Sequence, residues 1–231
     1  MMLYNRRNFQ TDAKRPKLAL VGNAPPTYDL SAQIDSCDIV IRCNEAKTLG
    51  ANTGIRTHIL CVNNSGAPAD RFISKQMLRR HPNFPELTEL WFARPSKDCV
   101  ELALKILVAN DLSDMPVVYF SAGMNERARQ QLSLYSKMEN QHPSTGFLAF
   151  WHILEQEAFE DYDKYLFGFT FNMWYGHPEH AEMKVIEAFC KNRQNLFFVP
   201  AEPLWKLKRR LKGAYFYNLM KRIQDKFSVL K

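Results

Sequence analysis

The side chains best suited to chemistry lie between residues 142 and 182. His142-Pro143-Ser144-Thr145-Gly146 precedes an apolar, helix-like stretch, Tyr165-Leu166-Phe167-Gly168-Phe169 forms a hydrophobic run, and His177-Pro178-Glu179-His180-Ala181-Glu182 follows. A short polar loop opening a helix presents backbone N–H groups. Those of Ser144, Thr145 and Gly146 could hold a phosphate where the helix dipole favours an anion. His177, just past the next strand, is then placed to move a proton beside that anion. In an open α/β sheet, ligands bind outside the carboxyl ends of the strands, where all of these groups would gather.

Two further polar groups follow apolar runs. The first run ends in Gly22-Asn23-Ala24-Pro25-Pro26 and the second in Arg42-Cys43-Asn44-Glu45. With one glycine the first is not the dinucleotide fingerprint, which needs three. An amide both donates and accepts, so Asn23 and Asn44 could read a nucleotide from two sides; the plainer reading is that each caps a turn.

The elements that must position these residues are legible as an alternation. Apolar runs at 17–22, 38–42, 57–62, 89–93, 116–120, 165–169 and 195–199 read as buried strands. Amphipathic stretches at 98–107, 126–137 and 178–190 lie between them, the last with Pro178 at a first helical position. This alternation predicts a single doubly wound, Rossmann-like, mostly parallel sheet with helices on both faces. The expected organisation is an N-terminal extension over 1–16, a catalytic domain over 17–200 and a helical tail over 201–231. No linker rich in Gly, Ser or Pro divides the chain.

Composition narrows the function classes. Five cysteines (Cys37, Cys43, Cys61, Cys99 and Cys190) without a CxxC pair argue against a disulfide framework or a structural zinc site, and predict buried reduced thiols. The net charge of +7 belongs to the tail, where nine basic residues face two acids; the other 200 residues carry 22 of each sign. A basic segment so confined, without a recognition motif, speaks against nucleic acid as a partner. In the tail, Leu207, Leu211, Tyr215, Leu219, Ile223 and Phe227 recur at i+4 beside Lys206, Arg209, Arg210 and Arg222. Two placements fit this pattern over 204–230: an anionic membrane surface, or the domain itself. With no apolar core behind the first charges and no membrane-length apolar run, the expected location is the cytosol. Peripheral contact with the inner face of the cytoplasmic membrane would come through the tail.

Taken together, the motifs resemble those of the eukaryotic-type sialyltransferases, glycosyltransferase family 29. The long first motif is matched by Val21-Gly22-Asn23, Ile34-Asp35, Asp38-Ile39-Val40-Ile41-Arg42-Cys43-Asn44-Glu45-Ala46, Gly50 and Gly54-Ile55-Arg56-Thr57. The second is matched from Pro143-Ser144-Thr145-Gly146-Phe147-Leu148 to Phe167-Gly168-Phe169, and the final H-x4-E by His177 and Glu182. Gly22-Asn23-Ala24-Pro25, Arg42-Cys43-Asn44 and Gly176-His177 are also similar, more faintly, to the bacterial family 42 sialyltransferases.

The resemblance implies a GT-A-variant sialyltransferase fold and an inverting transfer of sialic acid, or a related acidic sugar, from its CMP-activated form to a glycan or lipid-linked saccharide. It implies that Asn23 and Asn44 bind the CMP moiety, that Ser144, Thr145 and Gly146 sit under the nucleotide, and that Gly168 and Phe169 lie near its base or ribose. His177 would be the general base, Glu182 an orienting residue, and Tyr175, in Met173-Trp174-Tyr175-Gly176, a phosphate contact. No metal or other cofactor is implied, and Asp161-Tyr162-Asp163 is expected to be a solvated turn, not a DxD metal motif. The cysteines that pair in animal members are missing around 15–17 and 155–159, which points to a bacterial cytosolic type. CMP-Kdo is the nearest alternative donor, and a non-catalytic nucleotide- or membrane-binding module the alternative of another class. Ser65 to Ala69 and Met124 to His142 are the expected acceptor loops.

Overall fold

The computed structural model describes residues 15–78, 86–136, 142–169, 177 and 179–201. Most of the N-terminal extension, Tyr175, Pro178 and the amphipathic tail from 202 onward lie outside them. All seven predicted strands are present: β1 Lys17–Val21, β2 Ile39–Cys43, β3 Ile59–Val62, β4 Glu89–Phe92, β5 Val117–Tyr119, β6 Asp163–Phe167 and β7 Leu196–Val199. They form one sheet in the order β5-β4-β3-β2-β1-β6-β7, every pairing parallel. The chain builds outward from β1 to β5 and returns to the other side of β1 with β6, so the topological switch point lies between β1 and β6.

Among the described residues six α-helices accompany the strands: α1 Ser31–Asp35, α2 Gly66–Ser74, α3 Lys97–Ala109, α4 Ala122–Ser133, α5 Thr145–Glu155 and α6 Glu179–Asn192. Strand side chains alternate between faces. Leu18 and Leu20 of β1, Ile41 of β2 and Leu166 of β6 pack with Phe147, Phe150 and Trp151 of α5 and with Met183 and Ile186 of α6. On the other face, Ala19, Val21, Val40 and Phe167 meet Ile34 of α1, while Leu60, Leu90 and Phe92 meet Phe72 of α2 and Ile106 of α3. Burial on both faces is why these strands read as continuous apolar runs rather than alternating ones. Helix α5 buries all of Phe147 to Ile153; at about 1.5–3 kcal/mol per large apolar side chain, it is held by its packing rather than by propensity.

Four local expectations are corrected. Ser65 to Ala69 is no free loop: Ser65 is the N-cap residue of α2 and 66–69 its first turn. Helix α4 begins at Ala122, four residues before the expected start, because Ser121 caps it by accepting from the Met124 N–H at 3.1 Å. Asp163 is not in a solvated turn; it opens β6 and is buried. His58, which the apolar run 57–62 would place in the core, is half-buried beside Arg56 and Glu86. The five thiols are free, with Cys37, Cys43 and Cys61 buried and Cys99 and Cys190 partly so.

Candidate functional site

The carboxyl edge of the sheet gathers two groups of the predicted residues, joined by the first turn of α5. The first group surrounds the switch point. Gly22 donates its N–H to the Phe167 carbonyl at 2.8 Å, and Ala24 donates to Gly168 at 3.1 Å. A Cβ on Gly22 would lie 2.5 Å from the Gly168 oxygen, so only a glycine lets the ends of β1 and β6 meet so closely. Gly168, at φ +68°, faces back onto the Gly22 carbonyl. Phe169 is buried with its ring edge against Gly146, where a Cβ would come within 2.9 Å. These glycines form a floor beneath the N-terminus of α5, where the ends of β1 and β6 meet at the switch point.

Asn23 and Asn44 flank that floor. Asn23 bridges two strand ends: its Nδ2 donates to the Cys43 carbonyl at 3.0 Å and its Oδ1 accepts from the Lys47 N–H at 2.9 Å. Asn44 sits at φ +51°, a left-handed conformation that Asn tolerates well, and its Oδ1 accepts from the Asn63 N–H at 2.8 Å. Both asparagines therefore do cap turns. Even so, among the described residues the Asn44 Nδ2 has no partner, and Asn23 uses one of its two amide protons, so donors remain for a ligand.

The second group centres on Ser144. It is the N-cap of α5, and its Oγ accepts from the Phe147 N–H at 3.1 Å. Glu182, 1% exposed in the first turn of α6, accepts from the Ser144 N–H at 2.7 Å and from its hydroxyl at 2.8 Å. Ser144 thus spends its donors on Glu182, which leaves the backbone N–H groups of Thr145 and Gly146 as the anion-facing donors of this helix end. Glu182 fixes α6 to α5 and holds the helix N-terminus in place.

His177 closes the group. Its Nδ1 donates to the His142 carbonyl at 2.5 Å, which fixes the Nδ1–H tautomer and leaves the lone pair on Nε2. Burial lowers its pKa below the usual 6.5; the hydrogen bond to His142 opposes this, and the charges of Arg94 and His142 add to it. The shift favours the neutral ring at neutral pH. His180, three residues on and the other histidine that could move a proton here, is exposed on α6.

Two residues were not anticipated. Asn63 follows β3 as Asn23 follows β1 and Asn44 follows β2, and it is tied to Asn44; the repeated strand-end asparagine was the available signal. Arg94 follows β4. Its main chain is clamped by buried Asn64, which accepts from the Arg94 N–H at 2.8 Å and donates to its carbonyl at 2.9 Å. The Arg94 guanidinium donates to the Pro143 carbonyl at 2.8 Å, beside Ser144.

A cavity of about 550 Å³ lies at the opposite edge, near the amino ends of the strands, lined by Arg15, Glu160, Lys164 and Arg193 among others. The Lys164 ammonium there already donates to the Glu160 and Tyr162 carbonyls at 3.2 and 2.9 Å. Among the described residues, no group of three or more His, Cys, Asp or Glu side chains is placed to hold a metal ion. No described helix is long and apolar enough to cross a membrane.

A helix N-terminus, strand-end amides and an oriented histidine, gathered at the switch point of a parallel sheet, are groups able to bind an anionic ligand. The sequence profile of glycosyltransferase family 29 (sialyltransferase) matches residues 19–155, more than half of the chain, and the chain belongs to that family. Its resemblance to solved structures agrees with the fold. It is similar to the sialyltransferase CstII from Campylobacter jejuni, solved with the substrate analogue CMP-3FNeuAc, at 15% identity and a TM-score of 0.52 over 80% of this chain and 79% of that one. It is also similar to a mammalian sialyltransferase, at 18% identity and a TM-score of 0.52 over 80% of this chain and 68% of the other. A curated relative, the urease operon 23 kDa accessory protein of Rhizobium meliloti (strain 1021), is 25% identical over 191 residues, 75% of this chain and 88% of that protein. The protein is accordingly a CMP-sugar-dependent glycosyltransferase on a sialyltransferase-type α/β fold.

Proposed function

We propose that the chain transfers sialic acid, or a closely related acidic sugar, from CMP to a glycan hydroxyl by a metal-independent, inverting displacement with His177 as general base. The observation that carries this reading is the bond from His177 Nδ1 to the His142 carbonyl, next to the N-terminus of α5. It orients the ring and fixes the tautomer whose Nε2 takes a proton. In the displacement, the acceptor oxygen gives its proton to Nε2 as it bonds to the anomeric carbon, and the bond to the CMP phosphate breaks. Charge that develops on the phosphate is met by the N–H groups of Thr145 and Gly146 at the positive end of α5. Asn44, and the spare amide proton of Asn23, hold the nucleotide. Gly22, Gly168 and Phe169 shape the floor and Glu182 holds Ser144.

The test has two parts. Calorimetric titration with CMP, CMP-sialic acid and CMP-Kdo, in EDTA, is expected to show binding to the CMP compounds, tightest for the true donor. Asn44→Asp keeps the acceptor that holds Asn63 and removes the amide donor, so it should weaken that binding. His177→Ala should then lower turnover by about 10²- to 10⁴-fold while CMP affinity stays unchanged. Turnover that survives His177→Ala would assign the base elsewhere, and absence of any CMP binding would end the reading.

A further inference from the structure

The geometry points to Arg94 as the receptor for a carboxylate on the saccharide that this site handles, whether the sugar transferred or the sugar that accepts it. This rests on the transferase reading above and adds a residue whose work is to recognise a second anion, distinct from the CMP phosphate.

Four observations converge. Arg94 is preorganised: Asn64, fully buried, grips its main chain from both sides and also donates to the Cys99 carbonyl at 2.8 Å, which anchors that grip to α3. The guanidinium is only partly satisfied. One of its five N–H groups donates to the Pro143 carbonyl at 2.8 Å, and among the described residues it has no carboxylate partner within ion-pair distance. Among the described residues, one other cation bears on it. Arg94 bears electrostatically on both His142 and His177, and Arg129 of α4 bears on Arg94 and His142. Among the described residues the one carboxylate acting on Arg94, that of Glu182, already accepts from the Ser144 N–H and hydroxyl. Burial first and then Arg129 lower the Arg94 pKa below the ordinary arginine value. A half-buried cation kept without a counter-charge costs stability unless something else supplies the charge.

Position separates this anion from the nucleotide. Strand β4 is three places from β1 in the sheet, about 14 Å at ordinary strand spacing. Arg94 therefore stands away from the cradle at Gly22 and Asn23, yet against the 142–144 segment that orients the proposed base. The planar fork of an arginine matches a carboxylate with two parallel bonds, which a lysine cannot reproduce.

The experiment is calorimetric titration of the full chain as wild type, Arg94→Gln and Arg94→Lys. The probes are CMP, CMP-sialic acid, and 3′-sialyllactose or lactose in the presence of CMP. Arg94→Gln is expected to lose roughly tenfold or more in affinity for an acidic saccharide probe, with Arg94→Lys in between, while CMP alone changes by less than about twofold. A loss confined to CMP-sialic acid assigns the carboxylate to the donor. A loss confined to sialyllactose, with lactose unaffected, assigns it to the acceptor. If Arg94→Gln binds both acidic probes as wild type does, or loses CMP equally, the inference is overturned, and in the second case Arg94 merely holds the Pro143 segment. A wild type that binds no CMP compound overturns the transferase reading and this inference together.

Discussion

Arg42, on β2, and Arg94, just past β4, are two arginines at the carboxyl edge of one sheet, and their surroundings have little in common. Arg42 is 1% exposed and uses four of its five N–H groups: Nε donates to the Arg56 carbonyl at 3.0 Å, Nη1 to the Thr53 hydroxyl at 3.1 Å, and Nη2 to the Thr53 and Gly54 carbonyls at 2.6 and 3.1 Å. Burial brings its pKa down to about 10, against the opposing pull of Asp35. Arg94 makes one side-chain hydrogen bond. Arg42 lies within the long motif that carries the family resemblance, and Arg94 lies outside every motif matched in the sequence. A signature residue can thus be a scaffold, whose valences are spent on its own chain, while a residue with unspent donors sits where the motifs are silent.

The strongest test of this contrast is stability. Arg42→Met removes a cation that satisfies three carbonyls of the β2–β3 connection and strands them in a buried position. The expected cost is about 3–5 kcal/mol, read as a lower urea midpoint at unchanged m. Arg94→Gln gives up a single bond at a half-buried site and should cost about 1 kcal/mol or less. Equal losses would erase the distinction drawn here.

Asp35 sharpens the same point at a smaller scale. Its carboxylate accepts from the backbone N–H groups of Ile55 and Arg56, at 3.1 Å each, and closes the loop in which Gly54 takes φ +68°. Asp35→Ala should cost about 1–3 kcal/mol, less than Arg42→Met, and the folded fraction should bind CMP as wild type does. A fall in CMP affinity of the folded protein would move Asp35 from scaffold to site.

The same contrast explains what could be read from the sequence. All seven strands were legible because burial on both faces writes a run of Val, Ile, Leu and Phe that stops at a polar or glycine residue. Helix α2 was not, because Gly66-Ala67-Pro68 carries loop signals; proline is tolerated there because the first turn of a helix has no intrahelical use for its N–H. The five-residue α1 was too short to show a period. Within the site, Gly22, Asn23, Asn44 and His177 announced themselves by type and by position after a strand. Arg94 did not, because what distinguishes it is a contact with Pro143, 49 positions away, and its influence on histidines further on. Glu182 was expected to orient something. That it holds Ser144 depends on two helices meeting 38 residues apart, which no local pattern records.

The finest test uses pH. His177 must be neutral to accept a proton, and burial foremost, with the charges of Arg94 and His142 behind it, keeps its pKa below the usual 6.5, while the bond to the His142 carbonyl acts in the opposite sense. The acid limb of kcat/KM, which reports the free enzyme, should therefore fall below pH 6.5, with activity sustained as the pH drops through the range in which an ordinary histidine protonates. Removing the positive charge with Arg94→Gln takes away one influence that disfavours protonation, so the limb should move to higher pH. Arg94→Lys keeps the charge and should leave the limb near its wild-type position, whatever it does to saccharide affinity. Asp35→Ala, on the scaffold, should leave it in place. This is the smallest of the expected effects and the most specific to the comparison, because a purely structural Arg94 would lower the amplitude of the profile without moving its midpoint. A limb that stays fixed in Arg94→Gln, or shifts to lower pH, would show that the cation does not act on His177 and would return Arg94 to the same class as Arg42.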